Sequence, residues 1–317
     1  MFVFKIPQGE NIMNTIDTIK ETFRGEVLSR DQVLSRDQVL SRDQVLSQEK
    51  SSREKILQDI IRIVRSCETI LLSADDIQRK THQKTGKGNF VTDYDSKVQA
   101  ILKKELLELV PGAAFLGEED QMDHTDISKG YAFIVDPIDG TANFTRGYNA
   151  SCVSVALTLD GRPILGVVHN PYQKETFHAI RGKGAYLNGE KISASHRPLE
   201  EGLILFGTAP YHTELTKKSF EVAYRYMSRA QDLRRSGSAA LDLCMIACGR
   251  AEFFFELSLC PWDYAAGALL VEEAGGIVSS LQGLPITYDQ KQEVSARAPM
   301  VELLPYPQTS KLTVCNI

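Results

Sequence analysis

The chain has 317 residues, 43% of them hydrophobic, and 36 Lys and Arg against 41 Asp and Glu give it a formal net charge of −5. That length and apolar content support one large globular fold or two coupled halves, and with no sequence-wide basic surplus, nucleic acid is not expected as the main partner. The six cysteines form no C-x-x-C pair, and no run approaches the roughly eighteen apolar residues of a membrane span, so the expectation is a cytoplasmic protein without disulfides, structural zinc or a transmembrane segment.

In chain order, the first feature is a hexapeptide repeat, R-D-Q-V-L-S, between residues 27 and 47. A period of six on an α-helix carries each Val-Leu pair about 120° from the last, so no continuous apolar stripe results. Residues 1–50 therefore read as an exposed extension, and Met13 would serve equally well as a start. Folded structure is predicted to begin at Ser51, which with Glu54 forms a capping-box pattern ahead of Ile56, Leu57, Ile60, Ile61, Val64, Cys67 and Leu71 at helical spacing. A polar, glycine-containing stretch at 80–89 reads as a mobile loop, whose Lys84 and Lys87 either approach an anion or only solvate the chain. After V-T-D-Y-D, a second helix carries Val98, Ile101, Leu102 and Leu106 and stops at Pro111-Gly112.

Strand-like runs follow at 113–116, 131–135, 152–159, 164–169 and 176–179, with turns at Asp160-Gly161 and Asn188-Gly189. Residues 51–195 thus read as an antiparallel sheet flanked by helices. From about 196 to 300 the pattern reads strand, helix, strand, helix, through runs at 203–206, 216–227, 239–248, 253–256, 262–274 and 277–279. This favours a smaller α/β half, with Gly275-Gly276 as a left-handed helix stop and 301–317 as a tail.

Three acidic stretches stand at element ends: G-E-E-D at 117–120, D-P-I-D-G-T at 136–141 and W-D at 262–263. Carboxylates are hard oxygen donors, and a few of them suit a small hard cation such as Mg²⁺, whose remaining positions go to water or a phosphate. Asp136 ends an apolar strand, Pro137 bends the chain, Asp139 returns toward the same region, and Gly140 allows a backbone amide to approach an anion. If T-A-N-F starts a helix, its free N–H groups would cradle a phosphate. Adjacent Glu118 and Glu119 do not easily face one site, so Glu118 is the expected ligand. Alone, each stretch also has a plain explanation as a strand-end or helix-end acid.

Seven segments in order carry a resemblance: V-T-D-Y-D (91–95), F-L-G-E-E (115–119), V-D-P-I-D-G-T-A-N-F (135–144), G-V-V-H-N-P (166–171), R-G-K-G-A-Y-L-N-G (181–189), S-G-S-A-A (236–240) and P-W-D-Y-A-A-G (261–267). Over about residues 55–280 the chain resembles the inositol monophosphatase family of lithium-sensitive, Mg²⁺-dependent sugar phosphatases. The resemblance implies a layered αβαβα sandwich of the inositol monophosphatase and fructose-1,6-bisphosphatase type, a homodimer, and a small-molecule phosphate ester as substrate. By the same resemblance, Glu118, Asp136 and the Ile138 carbonyl look like ligands of one Mg²⁺, and Asp136, Asp139 and Asp263 like those of a second. Glu118 looks able to touch a third. Thr141, backed by Asp95, looks like the hydroxyl that orients the attacking water, and the Gly140 and Thr141 amides like phosphate donors. Asp139, Gly237, Ser238, Ala239, Glu256 and Asp263 match the residues that grip the sugar or cyclitol.

Phosphoadenosine phosphatases resemble D-G-T-K-E-F where this chain has D-G-T-A-N-F, which favours the inositol branch. Histidinol phosphate, fructose-1,6-bisphosphate, NADP and phosphoadenosine phosphate remain alternative substrates. A metal-binding scaffold whose repeat binds a partner is the alternative in class.

Overall fold

Two sheets alternate with three helical layers, and the sequence of each helix records which layer it occupies. The structure is a computed structural model that describes residues 42–75, 81–83, 90–120, 125–210 and 212–305. Helix α1 (Arg42–Ser66), the short α2 (Glu68–Leu72) and α3 (Asp93–Leu109) form the first layer. They bury Leu57, Ile60, Ile63, Val64, Cys67, Val98, Leu102 and Leu106 on one side, as amphipathic surface helices do.

Against them lies a seven-stranded sheet of β3 (Ala114–Gly117), β4 (Tyr131–Asp139), β5 (Cys152–Leu159), β6 (Arg162–Asn170), β7 (Glu175–Ile180), β8 (Gly184–Leu187) and β9 (Glu190–Ile192), paired in that order. It is antiparallel apart from the parallel β3–β4 pair. Asp160-Gly161 and Asn188-Gly189 turn its hairpins, with all four residues at positive φ as tight two-residue turns of the primed type require.

The central layer consists of α6 (Ala239–Ala247) and α7 (Pro261–Glu273), enclosed between this sheet and a second one. Numbering runs through α4 (Thr141–Thr145) and α5 (Thr213–Met227) before them. Being covered on both sides, α6 and α7 are buried almost all round, and their cluster draws on residues of both sheets. The second sheet has the order β11-β10-β12-β14-β13, from β10 (Leu203–Phe206), β11 (Asp232–Arg234), β12 (Phe253–Leu259), β13 (Ile277–Ser279) and β14 (Gln292–Arg297). Helix α5 packs on its outer face through Val222, Ala223 and Tyr226, completing the αβαβα sandwich. Gly275 at φ +85° ends α7, and the amides of Gly275 and Gly276 return to Glu272 O and Val271 O as a Schellman cap does.

Several expectations are corrected. The first helix begins at Arg42, so Ser51 lies inside it: the last repeat unit carries the helix formers Arg42, Gln44 and Leu46, and helical propensity continues through the capping pattern. The earlier repeat units lie outside the described residues. The stretch read as a loop contributes β1 (Thr81–Gln83) to a hairpin with β2 (Phe90–Thr92), while Lys84 and Lys87 lie outside the described residues. Strands β11 and β14 were not expected. The first is three residues long, and the second alternates too weakly for its sequence to announce a strand pairing with β12 and β13. Of the tail, Val301 is buried and Leu304 N–H donates to Tyr226 Oη at 3.0 Å; residues 306–317 lie outside the description.

Small residues set the spacing of the central layer. A Cβ on Gly166 would come within 3.0 Å of Ala266 O, and one on Gly267 within 2.6 Å of Leu243 Cβ. Gly267→Val should therefore destabilise the fold by about 1–3 kcal/mol through overpacking. Urea unfolding measures this, and an unchanged midpoint would contradict the close approach of α6 and α7.

Candidate active site

Where β4 ends, the sheet is interrupted on purpose. Asp136 pairs with Ser154 and Asp139 with Cys152, so one extra residue is accommodated on β4 between them, and this bulge turns both acids toward one corner. Ile138 N–H donates to Asp136 Oδ1 at 3.0 Å, closing the bulge on its own carboxylate. Gly140 follows at φ +88°, and a Cβ there would stand 2.9 Å from Ala150 O and 3.3 Å from Gly237 O, so only glycine fits. Gly140 is also the N-cap of α4, whose first residue is Thr141.

The second half supplies the other wall. Asp139 Oδ2 accepts from Ser238 Oγ at 2.5 Å and from Ala240 N at 2.8 Å, at the N-terminus of α6, where unsatisfied amides favour a carboxylate. Asp263 lies in the first turn of α7 and accepts the Cys260 N–H at 2.7 Å. Ser154 Oγ donates to Trp262 O at 3.4 Å, tying that turn to β5. One oxygen from each of Asp136, Asp139 and Asp263 falls within 4.8 Å of the others, and all are hard donors suited to one divalent cation or a close pair. Glu118, in a 3₁₀ turn (Glu118–Asp120) after β3, lines the same cleft. The Glu119 N–H instead donates to Gln99 Oε1 at 2.9 Å.

Beside the acids, Asp95 has two tasks. Its Oδ2 accepts Thr92 N–H at 2.8 Å and Thr92 Oγ at 2.5 Å, which completes the capping box of α3, and its Oδ1 lies 3.3 Å from Thr141 Oγ1. The Ile138 carbonyl is 3.1 Å from the same hydroxyl. Thr141 has one proton for two acceptors, so whenever Asp95 takes it the Ile138 oxygen is released.

The cleft measures about 420 Å³ and is lined by every sequence-predicted site residue except Asp95, which is buried behind Thr141. Burial pushes Asp136 well above the usual carboxylate range, and Glu118, Asp139, Asp263 and Asp95 push it further. Burial likewise raises Asp263 well above that range, reinforced by Asp139 and Glu118. Asp139 is also raised by burial, but the donors Ser238, Ala240, Ala239 and Cys152 oppose the shift. Glu256 is pushed up to about 7 by burial, against the Ala209 N–H that donates to its Oε1 at 2.9 Å. Burial raises the Cys152 thiol well above its usual value, so it offers no thiolate nucleophile.

Sequence reasoning missed four contributors. Asn143 donates through Nδ2 to Ala150 O at 2.7 Å and Ser236 O at 2.9 Å, stapling the two walls together. Gly207 leaves room for Glu256, whose Oε2 would lie 1.9 Å from a Cβ there. Arg235 and Asp242 also line the cleft. For Asp242 the signal was visible, since it is the one charged residue of an otherwise apolar helix.

Comparison with known proteins shows what the chain as a whole is similar to. A family model, the inositol monophosphatase family, matches residues 52–310. The chain is 37% identical to the Nus factor SuhB of Xylella fastidiosa over 71% of this chain and 81% of that protein. It is 33% identical to the inositol-1-monophosphatase of Bacillus subtilis over 69% of this chain and 82% of that protein. The crystal structure of the extragenic suppressor protein suhB from Bartonella henselae superposes with a TM-score of 0.71 at 32% identity, covering 78% of this chain and 94% of that one.

A pH prediction follows from the raised acids. The folded state binds protons more tightly than the unfolded state at these groups, so their contribution to stability falls as pH rises from the ordinary carboxylate range through about 7, the value of Glu256. A divalent cation prefers the ionised set and should oppose that fall. Melting curves recorded in chelator and in millimolar Mg²⁺ should therefore separate increasingly as pH rises from about 5 to 8. His169, which burial shifts downward, contributes equally to both curves and cancels in their difference. Parallel curves would contradict cation binding by these carboxylates.

Proposed function

This chain belongs to the inositol monophosphatase family, and we propose that it is a Mg²⁺-dependent phosphomonoesterase acting on myo-inositol monophosphate or a closely related cyclitol or sugar phosphate. The observation that carries the reading is the convergence of Asp136, Asp139 and Asp263 on one point beside the Thr141–Asp95 pair. Asp136, Asp139, Asp263, Glu118 and the Ile138 carbonyl would hold two or three ions, a set made wholly of oxygen donors. When bound, Mg²⁺ supplies positive charge that raises the acidity of water and neutralises charge developing on the phosphate.

The chain's own groups account for the rest. Thr141 donates its hydroxyl hydrogen bond to Asp95, which leaves the Thr141 oxygen lone pairs free to accept from and orient a water. The amides of Gly140 and Thr141, at a helix start preset by the left-handed Gly140, donate to nonbridging phosphate oxygens. Asp139, Gly237, Ser238, Ala239, Glu256 and Asp263 face the alcohol portion of the ester. No side-chain nucleophile is needed.

Among the described residues no helix is long and apolar enough to cross a membrane. We take the protein to work in the cytoplasm as a homodimer; light scattering on the purified protein tests the dimer, and a monomer at micromolar concentration would count against it. The name Nus factor SuhB among the relatives favours a second reading, a binding factor on the same fold.

Phosphate release should be measured from myo-inositol 1-phosphate, histidinol phosphate, fructose-1,6-bisphosphate and phosphoadenosine phosphate, with and without Mg²⁺. The expected result is Mg²⁺-dependent turnover with myo-inositol 1-phosphate preferred; no turnover of any ester would sink the enzyme reading and favour the binding factor. Asp136→Asn should keep the fold and lower kcat by roughly 10³-fold, because it removes a central charge of the cluster. Near-normal activity in that variant would place the site elsewhere.

A further inference from the structure

Asp242 is a carboxylate that the metal cluster leaves unused. It sits in the first turn of α6 among Ala239, Ala240, Leu241, Leu243 and Cys244, all buried, and it is itself only 2% exposed. An acid near a helix N-terminus is ordinary, and the dipole accounts for its sign. It does not account for an acid enclosed between two sheets whose Oδ1 has no hydrogen-bond partner among the described residues. A buried acceptor left unmatched is costly, and such exceptions in native structures call for a ligand, water or functional role.

The surroundings indicate which. Asp242 lines the cleft together with Glu256, Arg235, Gly237 and Ser238. Burial pushes Asp242 well above the usual carboxylate range, a side-chain hydrogen bond from Ser236 opposes that shift, and Glu256 and Asp139 add to it while Arg235 opposes it. Glu256 is fixed there by the Ala209 N–H and by contact with Gly207. Nothing on Oδ1 fixes the Asp242 carboxylate in the same way, and its terminal torsion is a soft one. The Arg235 guanidinium lies beside Gly237 and acts on both carboxylates, whose remaining capacity is for hydrogen-bond donors.

We propose that Asp242 is a specificity-determining residue: its carboxylate turns to accept a hydrogen bond from a hydroxyl of the leaving alcohol, next to the one that Glu256 accepts. The alcohol is thereby a polyol with neighbouring hydroxyls, and a hydroxyl-free alcohol gains nothing from this wall. The inference rests on the phosphomonoesterase reading of the same cleft.

The test compares wild type with Asp242→Leu and Asp242→Asn on two esters in Mg²⁺: myo-inositol 1-phosphate, and 4-nitrophenyl phosphate, whose leaving group carries no additional hydroxyl. Leu suits the apolar helix and removes the acceptor; Asn keeps one acceptor oxygen. For Asp242→Leu the KM for the polyol ester should rise roughly tenfold with kcat little changed, and Asn should recover part of the loss. Both constants for 4-nitrophenyl phosphate should stay within about twofold. Parallel losses on the two esters, or an unchanged polyol KM, would overturn the assignment. If wild type hydrolyses neither ester, the phosphomonoesterase reading fails by itself. The inference is then judged by the rise in melting temperature that myo-inositol 1-phosphate produces in Mg²⁺. A smaller rise in Asp242→Leu supports it, and equal or absent rises overturn it.

Discussion

The contact on which the arrangement depends is the pair of hydrogen bonds that Asp139 Oδ2 accepts from Ser238 Oγ and Ala240 N. It crosses from the last residue of β4 to the start of α6, and so sets the first sheet against the central helical layer at the cleft. Gly140 and Gly237 approach each other beside it, and Asn143 bridges the same two loops. With one Asp139 oxygen committed in this way, the other is available to the cluster with Asp136 and Asp263. A single carboxylate thus joins the two halves and helps define the point on which they converge.

Two opposing effects meet at that point. Desolvation and mutual repulsion raise Asp136 and Asp263 well above the usual carboxylate range, whereas the helix-end donors around Asp139 partly offset the same forces. A protein without need of these charges would be more stable with apolar residues in their place. Their presence together, on a bulge, a 3₁₀ turn and two helix starts, is intelligible when a cation balances them. The scaffold holds each one by a separate backbone device: the bulge amide for Asp136, the α6 terminus for Asp139 and the Cys260 amide for Asp263.

Much of this was legible in the residues because it is local. D-P-I-D-G-T declares its own turn, W-D follows a helix-starting Pro, and Thr92 with Asp95 caps a helix within four residues. The buried faces of α1 and α3 followed from spacing, with Ile61 packed against the cluster and Ile63, which the spacing did not pick out, buried within it. What escaped depends on distant partners. Strand β14 is defined by its neighbours β12 and β13, the hairpin with β2 takes β1 from within an apparent loop, and Gly207 matters only because Glu256 folds onto it. Helix α1 starts earlier than its capping pattern suggested, since helical propensity continues through the last repeat unit. Asp242 was readable as an acid in an apolar helix, but its meaning required seeing which cleft it lines.

The central claim is that the carboxylates of β4 and α7 form a cation site facing a phosphate corner. Crystals grown with Mn²⁺ and inorganic phosphate, measured at a wavelength where manganese scatters anomalously, test it most directly. The account predicts anomalous peaks between Asp136, Asp139 and Asp263, with phosphate density against the amides of Gly140 and Thr141. A cleft without anomalous density at saturating Mn²⁺, or ions bound only to other carboxylates, would contradict it.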